Sequence, residues 1–235
     1  MLIGTTLISS IEFQGNISLV IFYALCPLRC PFCHNKDILE SGIDVSFDEI
    51  KMTIDDSLDY LDAIVITGGE PLVQLNEVIK VLEYAKSLNL KTKLDTSGIY
   101  PEKLEKLLKL DLLDYIALDV KAPFNKYKEI IGSDIGNCVK DSMDLINNYD
   151  KVTLELRTTY VPNLLNEKDI QEIASSVKGD IYTLQQFRNI NVLDESLNDV
   201  ESPNPHELEK IAKSLRNIFR GKIKIKSSEF GEEII

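Results

Sequence analysis

The chain has 235 residues, 44% of them hydrophobic, which is enough for a substantial core and suits one domain. Acidic residues outnumber basic ones 38 to 26 and leave a net charge of −12, so the basic surface that neutralises nucleic-acid phosphates or anionic headgroups is missing. No apolar run approaches the roughly 18 to 20 residues of a membrane span. Met1-Leu2-Ile3-Gly4 carries neither a basic region nor a small-residue cleavage site, so the expectation is a mature, cytoplasmic chain that meets neither membrane nor nucleic acid. In a reducing compartment the four cysteines suit metal or redox chemistry better than disulfides.

Asn16 to Tyr23 is β-branched and aromatic without helical spacing and reads as a first strand, running into Cys26-Pro27-Leu28-Arg29-Cys30-Pro31-Phe32-Cys33-His34-Asn35. Ser46 with Glu49 three residues on forms a capping-box pattern that opens a helix through about Leu61. Ala63 to Thr67 is a buried strand ending in Gly68-Gly69-Glu70-Pro71, and Val78, Ile79, Leu82 and Ala85 space out one face of a helix from Leu75 to Leu88. Lys91 to Leu94 ends at Asp95-Thr96-Ser97-Gly98, and Pro101 starts a helix to about Leu110. Tyr115 to Leu118 ends at Asp119-Val120-Lys121. A helix over Val139–Asn147 precedes a strand over Val152–Tyr160, and helix Glu167–Val177 precedes strand Ile181–Leu184, which ends in Gln185-Gln186-Phe187-Arg188. A helix from about His206 to Phe219 and a short strand near Ile223–Ile225 close the chain. The alternating lysines of Arg220 to Lys226 read as the outer face of that last strand.

Repeated strand-helix units build a parallel sheet, and six of them are too few for an eight-unit barrel, which favours an open, partial (β/α)6 barrel over a doubly wound sheet. No linker marks a second domain; 189–235 reads as a C-terminal extension packing on the barrel. Either architecture binds ligands at the C-terminal ends of its strands. The polar and Gly-rich residues of this chain recur there.

Three cysteines within eight residues form a soft donor set one ligand short of a closed zinc site. Four accounts compete. Cys30-Pro31-Phe32-Cys33-His34 fits a c-type haem motif, which implies export; a thioredoxin-like pair leaves Cys26 unused. Zinc would need His34 as fourth ligand, although adjacent Cys33 and His34 point apart. An iron-sulfur cubane on three cysteines would keep one iron open for a ligand that is not protein.

The C-x-x-x-C-x-x-C spacing, with Phe32 before the last cysteine and directly after a first strand, resembles the radical S-adenosylmethionine (SAM) superfamily. Cys33-His34-Asn35 and the later motifs narrow the resemblance to glycyl-radical-enzyme activases. Asn16 to Arg188 looks most like the compact activating proteins of anaerobic ribonucleoside-triphosphate reductase. The resemblance implies the radical SAM type of partial barrel and one 4Fe-4S cluster on Cys26, Cys30 and Cys33, whose fourth iron is chelated by SAM. It also implies a glycyl radical enzyme as protein substrate, and a flavodoxin or ferredoxin as electron donor. No protein side chain beyond the cluster ligands is expected to be catalytic.

Around the cluster the same resemblance assigns Phe32 to the adenine, Gly68, Gly69 and Glu70 to the SAM amino group, Lys121 to its carboxylate and Asp119 to its amine. His34 belongs to the same motif. On their own, Gly68-Gly69-Glu70 is a strand-to-helix turn, Asp119 and Lys121 are a surface ion pair facing one way, and Asp95, Thr96 and Ser97 are a cap or turn. Arg157, in an otherwise apolar strand, needs a carboxylate partner or faces the SAM carboxylate. Gln185 and Gln186 stand where pyruvate formate-lyase activases carry a His that touches SAM, and Leu25 stands where these activases usually carry Gly. Cys138 reads as a buried apolar residue, not a ligand. Two alternatives remain: a radical SAM enzyme acting on a small molecule, as in 7-carboxy-7-deazaguanine synthase, and a zinc-stabilised binding module.

Overall fold

In the computed structural model, which describes residues 1–235, the β-branched runs become strands whose alternate residues meet helices, and the chain divides into two compact units. The first comprises Met1–Pro27, Asp37–Thr96 and Glu102–Ala117; the second comprises Leu28–Lys36, Ser97–Pro101 and Leu118–Ile235.

In the first unit the strands β1 (Leu2–Ser9), β2 (Ser18–Tyr23), β3 (Ile43–Asp44), β4 (Ala63–Gly68) and β5 (Lys91–Thr96) lie in the order β3-β1-β2-β4-β5. β2, β4 and β5 run parallel, and β1 is antiparallel to both β2 and β3. β1 and β3 were not evident from the sequence. Of the eight residues of β1 only Ile3 is fully inside, and a register shift beside Gly4 breaks the alternation that would reveal it. α1 (Phe47–Ser57) opens on the expected capping box, with Ser46 N–H donating to Glu49 Oε2 at 2.7 Å and Glu49 N–H to Ser46 Oγ at 3.2 Å. It stops at Ser57, where the chain tightens into a 3₁₀ turn over Leu58–Tyr60. α2 (Leu75–Ser87) packs Val78, Val81, Leu82 and Ala85 toward β4 and β5, each of the buried valines and the leucine contributing roughly 1.5–3 kcal/mol. α3 (Pro101–Lys109), in this unit from Glu102 on, and the first three residues of β6 (Tyr115–Asp119) follow.

The second unit holds the end of β6, α4 (Tyr127–Ile131), α5 (Gly136–Ile146), β7 (Thr153–Tyr160), α6 (Glu167–Ser176), β8 (Ile181–Gln186), α7 (Pro205–Ser214), β9 (Lys222–Ser227) and β10 (Gly231–Ile234). The strands lie in the order β7-β8-β9-β10, the first three parallel and β10 antiparallel to β9. Val120 N–H donates to Arg157 O at 2.8 Å and ties the end of β6 to β7. Residues 189–235 thus supply α7, which packs on β8 and β9, and two strands of this sheet.

Strand periodicity sorts this sheet into two faces. Leu156, Tyr182, Leu184, Ile223 and Ile225 are buried on one. Glu155, Arg157, Thr159, Thr183, Gln185, Lys224 and Lys226 lie on the other, paired in register as Arg157 with Thr183 and Thr183 with Lys224. This corrects the outer-face reading of the late lysines. Lys222 is exposed, but Lys224 is buried, with Nζ 3.6 Å from Glu155 and 2.6 Å from Glu232. The apolar face of β9 is taken up by Ile223 and Ile225, so Lys224 turns to the opposite face, where two carboxylates compensate its charge.

Candidate functional site

The predicted site residues fall on strand C-terminal ends in both units. In the first unit β2 ends in Ala24-Leu25-Cys26, where Leu25 adopts the left-handed region at φ +74°, a conformation that glycine takes without strain. Leu25 N–H donates to Ile38 O at 2.7 Å, Cys26 N–H to Leu39 O at 3.0 Å, and Glu70 N–H to Leu25 O at 2.9 Å. The end of β4 therefore runs against the start of the cysteine stretch, and glycine is what permits it. A Cβ on Gly69 would stand 2.4 Å from Leu25 O and 3.2 Å from Cys26 Cβ, and one on Gly68, at φ +122°, would stand 2.2 Å from Tyr23 O.

Glu70 is extended, as expected before Pro71, and fully buried. Its carboxylate accepts from Thr96 Oγ1 at 2.9 Å and from Leu72 N–H at 3.1 Å, so it locks the end of β5 to the turn after β4. Buried Asp95 accepts from Thr67 Oγ1 at 3.2 Å and faces Lys93 at 3.4 Å. The Lys93 ammonium also lies over the rings of Phe13 and Tyr115.

In the second unit, Cys33 N–H donates to Cys30 O at 3.0 Å and forms a turn in which Cys30 and Phe32 are buried and Cys33 is half-buried. At the end of β6, one carboxylate serves two cations. Asp119 Oδ2 lies 2.7 Å from Lys121 Nζ, while Asp119 Oδ1 accepts from Arg157 Nε at 2.9 Å and faces Arg157 Nη2 at 2.8 Å. Burial works against the Lys121 charge, but Asp119 and the Cys30 sulfur outweigh it and hold the ammonium well above the usual lysine range. Burial pushes the Cys30 thiol up, and Lys121 pulls it back without reversing the shift. Buried Tyr127 accepts from the Lys121 N–H at 2.9 Å and fixes the backbone there.

The remaining predicted residues divide. Gln185 stays on the polar face with Arg157 and receives Thr159 Oγ1 at 3.4 Å. Gln186 points to the opposite face, where its amide donates to Pro203 O and accepts from Ser228 N–H, so it anchors the C-terminal segment. Ser97 is buried, and exposed His34 donates from Nδ1 to Ile190 O at 3.0 Å. Partial desolvation of its ring holds the His34 imidazole below the usual histidine range. Cys138 is half-buried on α5, short of the full burial expected. Two residues that the sequence did not mark are Tyr127 and Gln74, whose side chain holds Leu2 N–H, Leu2 O and Ala24 O at 2.7, 2.8 and 3.1 Å. Neither carries a local sequence signal.

All four cysteines are free thiols, so the three of the motif offer soft sulfur without first breaking a disulfide. Lys121 beside Cys30 offsets part of the burial that raises its thiol, and Cys26 faces a wall kept free of side chain by Gly69. Sulfur donors of this kind suit iron-sulfur chemistry. Residues 20–177 match the radical SAM superfamily across more than half of the chain.

The chain belongs to the radical SAM superfamily.

It is 40% identical over 217 residues to a candidate glycyl-radical enzyme activating enzyme of Methanocaldococcus jannaschii, covering 89% of each chain. It is 28% identical to the pyruvate formate-lyase-activating enzyme of Clostridium pasteurianum, over 90% of this chain and 98% of that one. These matches place it among radical SAM glycyl-radical enzyme activases. Streptococcus suis SuiB, in a structure with bound S-adenosylmethionine, superposes with a TM-score of 0.71 at 16% identity, over 90% of this chain and 51% of SuiB. The chain thus spans about half the length of SuiB. Methylornithine synthase superposes with a TM-score of 0.63 at 14% identity, over 88% of this chain and 63% of that one. At such identities these structures establish the fold: the radical SAM α/β architecture with a mostly parallel sheet. The cofactors of this superfamily are a 4Fe-4S cluster on three cysteines and SAM. No helix is long and apolar enough to cross a membrane.

Proposed function

We propose that this chain generates the glycyl radical of a partner enzyme, and that the partner is an anaerobic ribonucleoside-triphosphate reductase. The observation that carries the site is the Asp119 carboxylate shared between Lys121 and Arg157, beside the buried Cys30. That arrangement presents two cations and one anion, the complement of an amino acid's carboxylate and amine. Lys121 and Arg157 bind the methionine carboxylate of SAM, and Asp119 binds its amine. Gly68 and Gly69 let the end of β4 run close against Tyr23, Leu25 and Cys26, and Glu70, engaged by Thr96 and Leu72, holds that turn in shape. Cys26, Cys30 and Cys33 hold the cluster, Phe32 packs on the adenine, and His34, Asp95, Thr96 and Ser97 contact SAM. Gln185 hydrogen-bonds the ribose, while Gln186 supports it from the opposite face of β8.

When bound, the reduced cluster and SAM supply a 5′-deoxyadenosyl radical able to take a hydrogen atom from a backbone glycine. The protein's part is alignment and exclusion of water. A flavodoxin or ferredoxin supplies the electron. The reductase partner is favoured over pyruvate formate-lyase because a glutamine, which cannot titrate, stands where the lyase activases carry a histidine. A second reading, a small-molecule enzyme, is supported by 37% identity over 92 residues to 7-carboxy-7-deazaguanine synthase of Hyperthermus butylicus, although this covers 38% of either chain.

The test is anaerobic. Reduced protein and SAM are mixed with the reductase, and a glycyl-radical EPR doublet is expected. A doublet with pyruvate formate-lyase but not with the reductase overturns the partner. Turnover of a pterin with no doublet from either enzyme overturns the reading in favour of the second.

A further inference from the structure

The segment after β8 makes contacts that neither the fold nor the proposed chemistry requires. Its ends are fixed. Phe187 and Val192 are both fully buried, and between them Ile190 is 69% exposed. Asn189 Nδ2 donates to Asn198 O at 3.0 Å, and Asp194 caps the 3₁₀ turn Glu195–Asp199 by accepting from Ser196 N–H at 3.0 Å.

From this fixed frame the segment reaches the loop Leu28–Lys36 at four points. Asp194 N–H donates to Pro31 O at 2.8 Å, His34 Nδ1 donates to Ile190 O at 3.0 Å, and Lys36 Nζ donates to Val192 O at 3.3 Å. The fourth is a ring contact, His34 against Phe187 with centroids 6.5 Å apart. Three of the four use backbone oxygens or N–H groups, so what is recognised is the path of the chain. The loop itself has no regular secondary structure apart from the short turn at Lys36–Ile38. A loop of that kind is ordered by outside partners or not at all.

We propose that Phe187–Asp194 is a strap whose role is to pre-form the Cys30–Cys33 ligand turn, with Val192 as its buried anchor and Lys36 as a side-chain clasp. These are positioning residues: they act on the two cysteines through the loop backbone and touch no reacting atom. Without the strap, the entropy of ordering Pro31 to Lys36 would be lost each time the cysteines closed on metal, and ligand release would be correspondingly easier. The cluster role of the cysteines rests on the proposed function; the mechanical coupling of strap to loop does not.

The test therefore has one arm without metal and one with it. In the full-length apoprotein, Val192→Ser should lower hydrogen-exchange protection roughly tenfold both in 187–194 and in 28–36, while β4 and β5 keep theirs. In the anaerobically reconstituted protein, Val192→Ser should lose iron to an excess of chelator several-fold faster than wild type. Lys36→Met should reproduce both effects more weakly and Lys36→Arg should restore them, which keeps the test open if the core variant folds poorly. Strap exchange that rises while 28–36 stays protected overturns the proposal. So does a loosened loop with an unchanged rate of iron loss. A wild-type chain that takes up no iron would instead overturn the cluster assignment, and the exchange arm would still decide whether the strap holds the loop.

Discussion

Asp119→Asn isolates the charge at the centre of the site. The substitution keeps the shape of the side chain and removes the anion that faces Lys121 Nζ at 2.7 Å and Arg157 Nη2 at 2.8 Å. The Lys121 and Arg157 side chains are 17% and 11% exposed, so water replaces the lost partner poorly, whereas Asp119 itself is 26% exposed. Breaking a fully buried pair costs about 3–5 kcal/mol, and an exposed pair is worth about 0–1 kcal/mol. The exposures here lie nearer the buried limit, which puts the loss at about 2–3 kcal/mol of unfolding free energy. Two like charges left facing one another add to the same sign. The assay is urea unfolding of the apoprotein, run for Asp119→Asn, Arg157→Met and the double variant. The cycle should return a coupling of at least about 1 kcal/mol, since each single change removes the same charge-assisted bond. A coupling within about 0.5 kcal/mol of zero, the level at which independent sites add, would refute the shared-carboxylate account.

Lys121→Ala should weaken SAM binding by at least about 1 kcal/mol, the value of a charge-assisted hydrogen bond, in calorimetry on the reconstituted protein, with iron content intact. Gly69→Ala should cost about 1–3 kcal/mol in the same urea assay and lower the iron bound per chain, because its Cβ would meet Leu25 O at 2.4 Å. Cys138→Ser should retain full iron content after reconstitution, since this half-buried residue lies on α5, outside the motif. Asp114 gives a pH prediction: burial raises its pKa, but Lys86 at 2.6 Å and the Thr92 N–H at 2.7 Å outweigh this and hold the carboxyl below the usual range. A lowered folded-state pKa means stability that is present above the unfolded value and lost as pH falls through the folded one. The stability gap between wild type and Asp114→Asn should thus stay constant near neutrality and close as pH drops below about 4.

What the sequence made legible is whatever local chemistry decides. The capping box at Ser46 and Glu49, the buried run of β4 and the glycines at its end are each set by neighbours within a few residues, and each stands where the pattern put it. β1 escaped because its alternation breaks beside Gly4 and its outer residues face solvent, so the period-2 signal never develops. Lys224 was misread for the complementary reason. A lysine buried against Glu155 and Glu232 gives the same local pattern as one in water, and only the pairing of β7, β8, β9 and β10 reveals the carboxylates around it. Gln185 and Gln186 show the same limit at the site. Adjacent in sequence, they face opposite sides of β8, a distinction that depends on the exact strand register.

The Asp119 centre lies between these cases. The spacing of Asp119 and Lys121 places both side chains on one face, as an extended segment must, but it cannot say that a third residue 38 positions away completes the set. That completion changes the chemistry expected of the pair. Two residues alone would be a near-neutral ion pair with nothing to spare for a ligand. With Arg157 added, two cations face one carboxylate, and the proposed recognition of an amino-acid head group starts from that arrangement. The three-residue centre is therefore a property of the fold that joins β6 to β7, and the motif in β6 alone does not contain it.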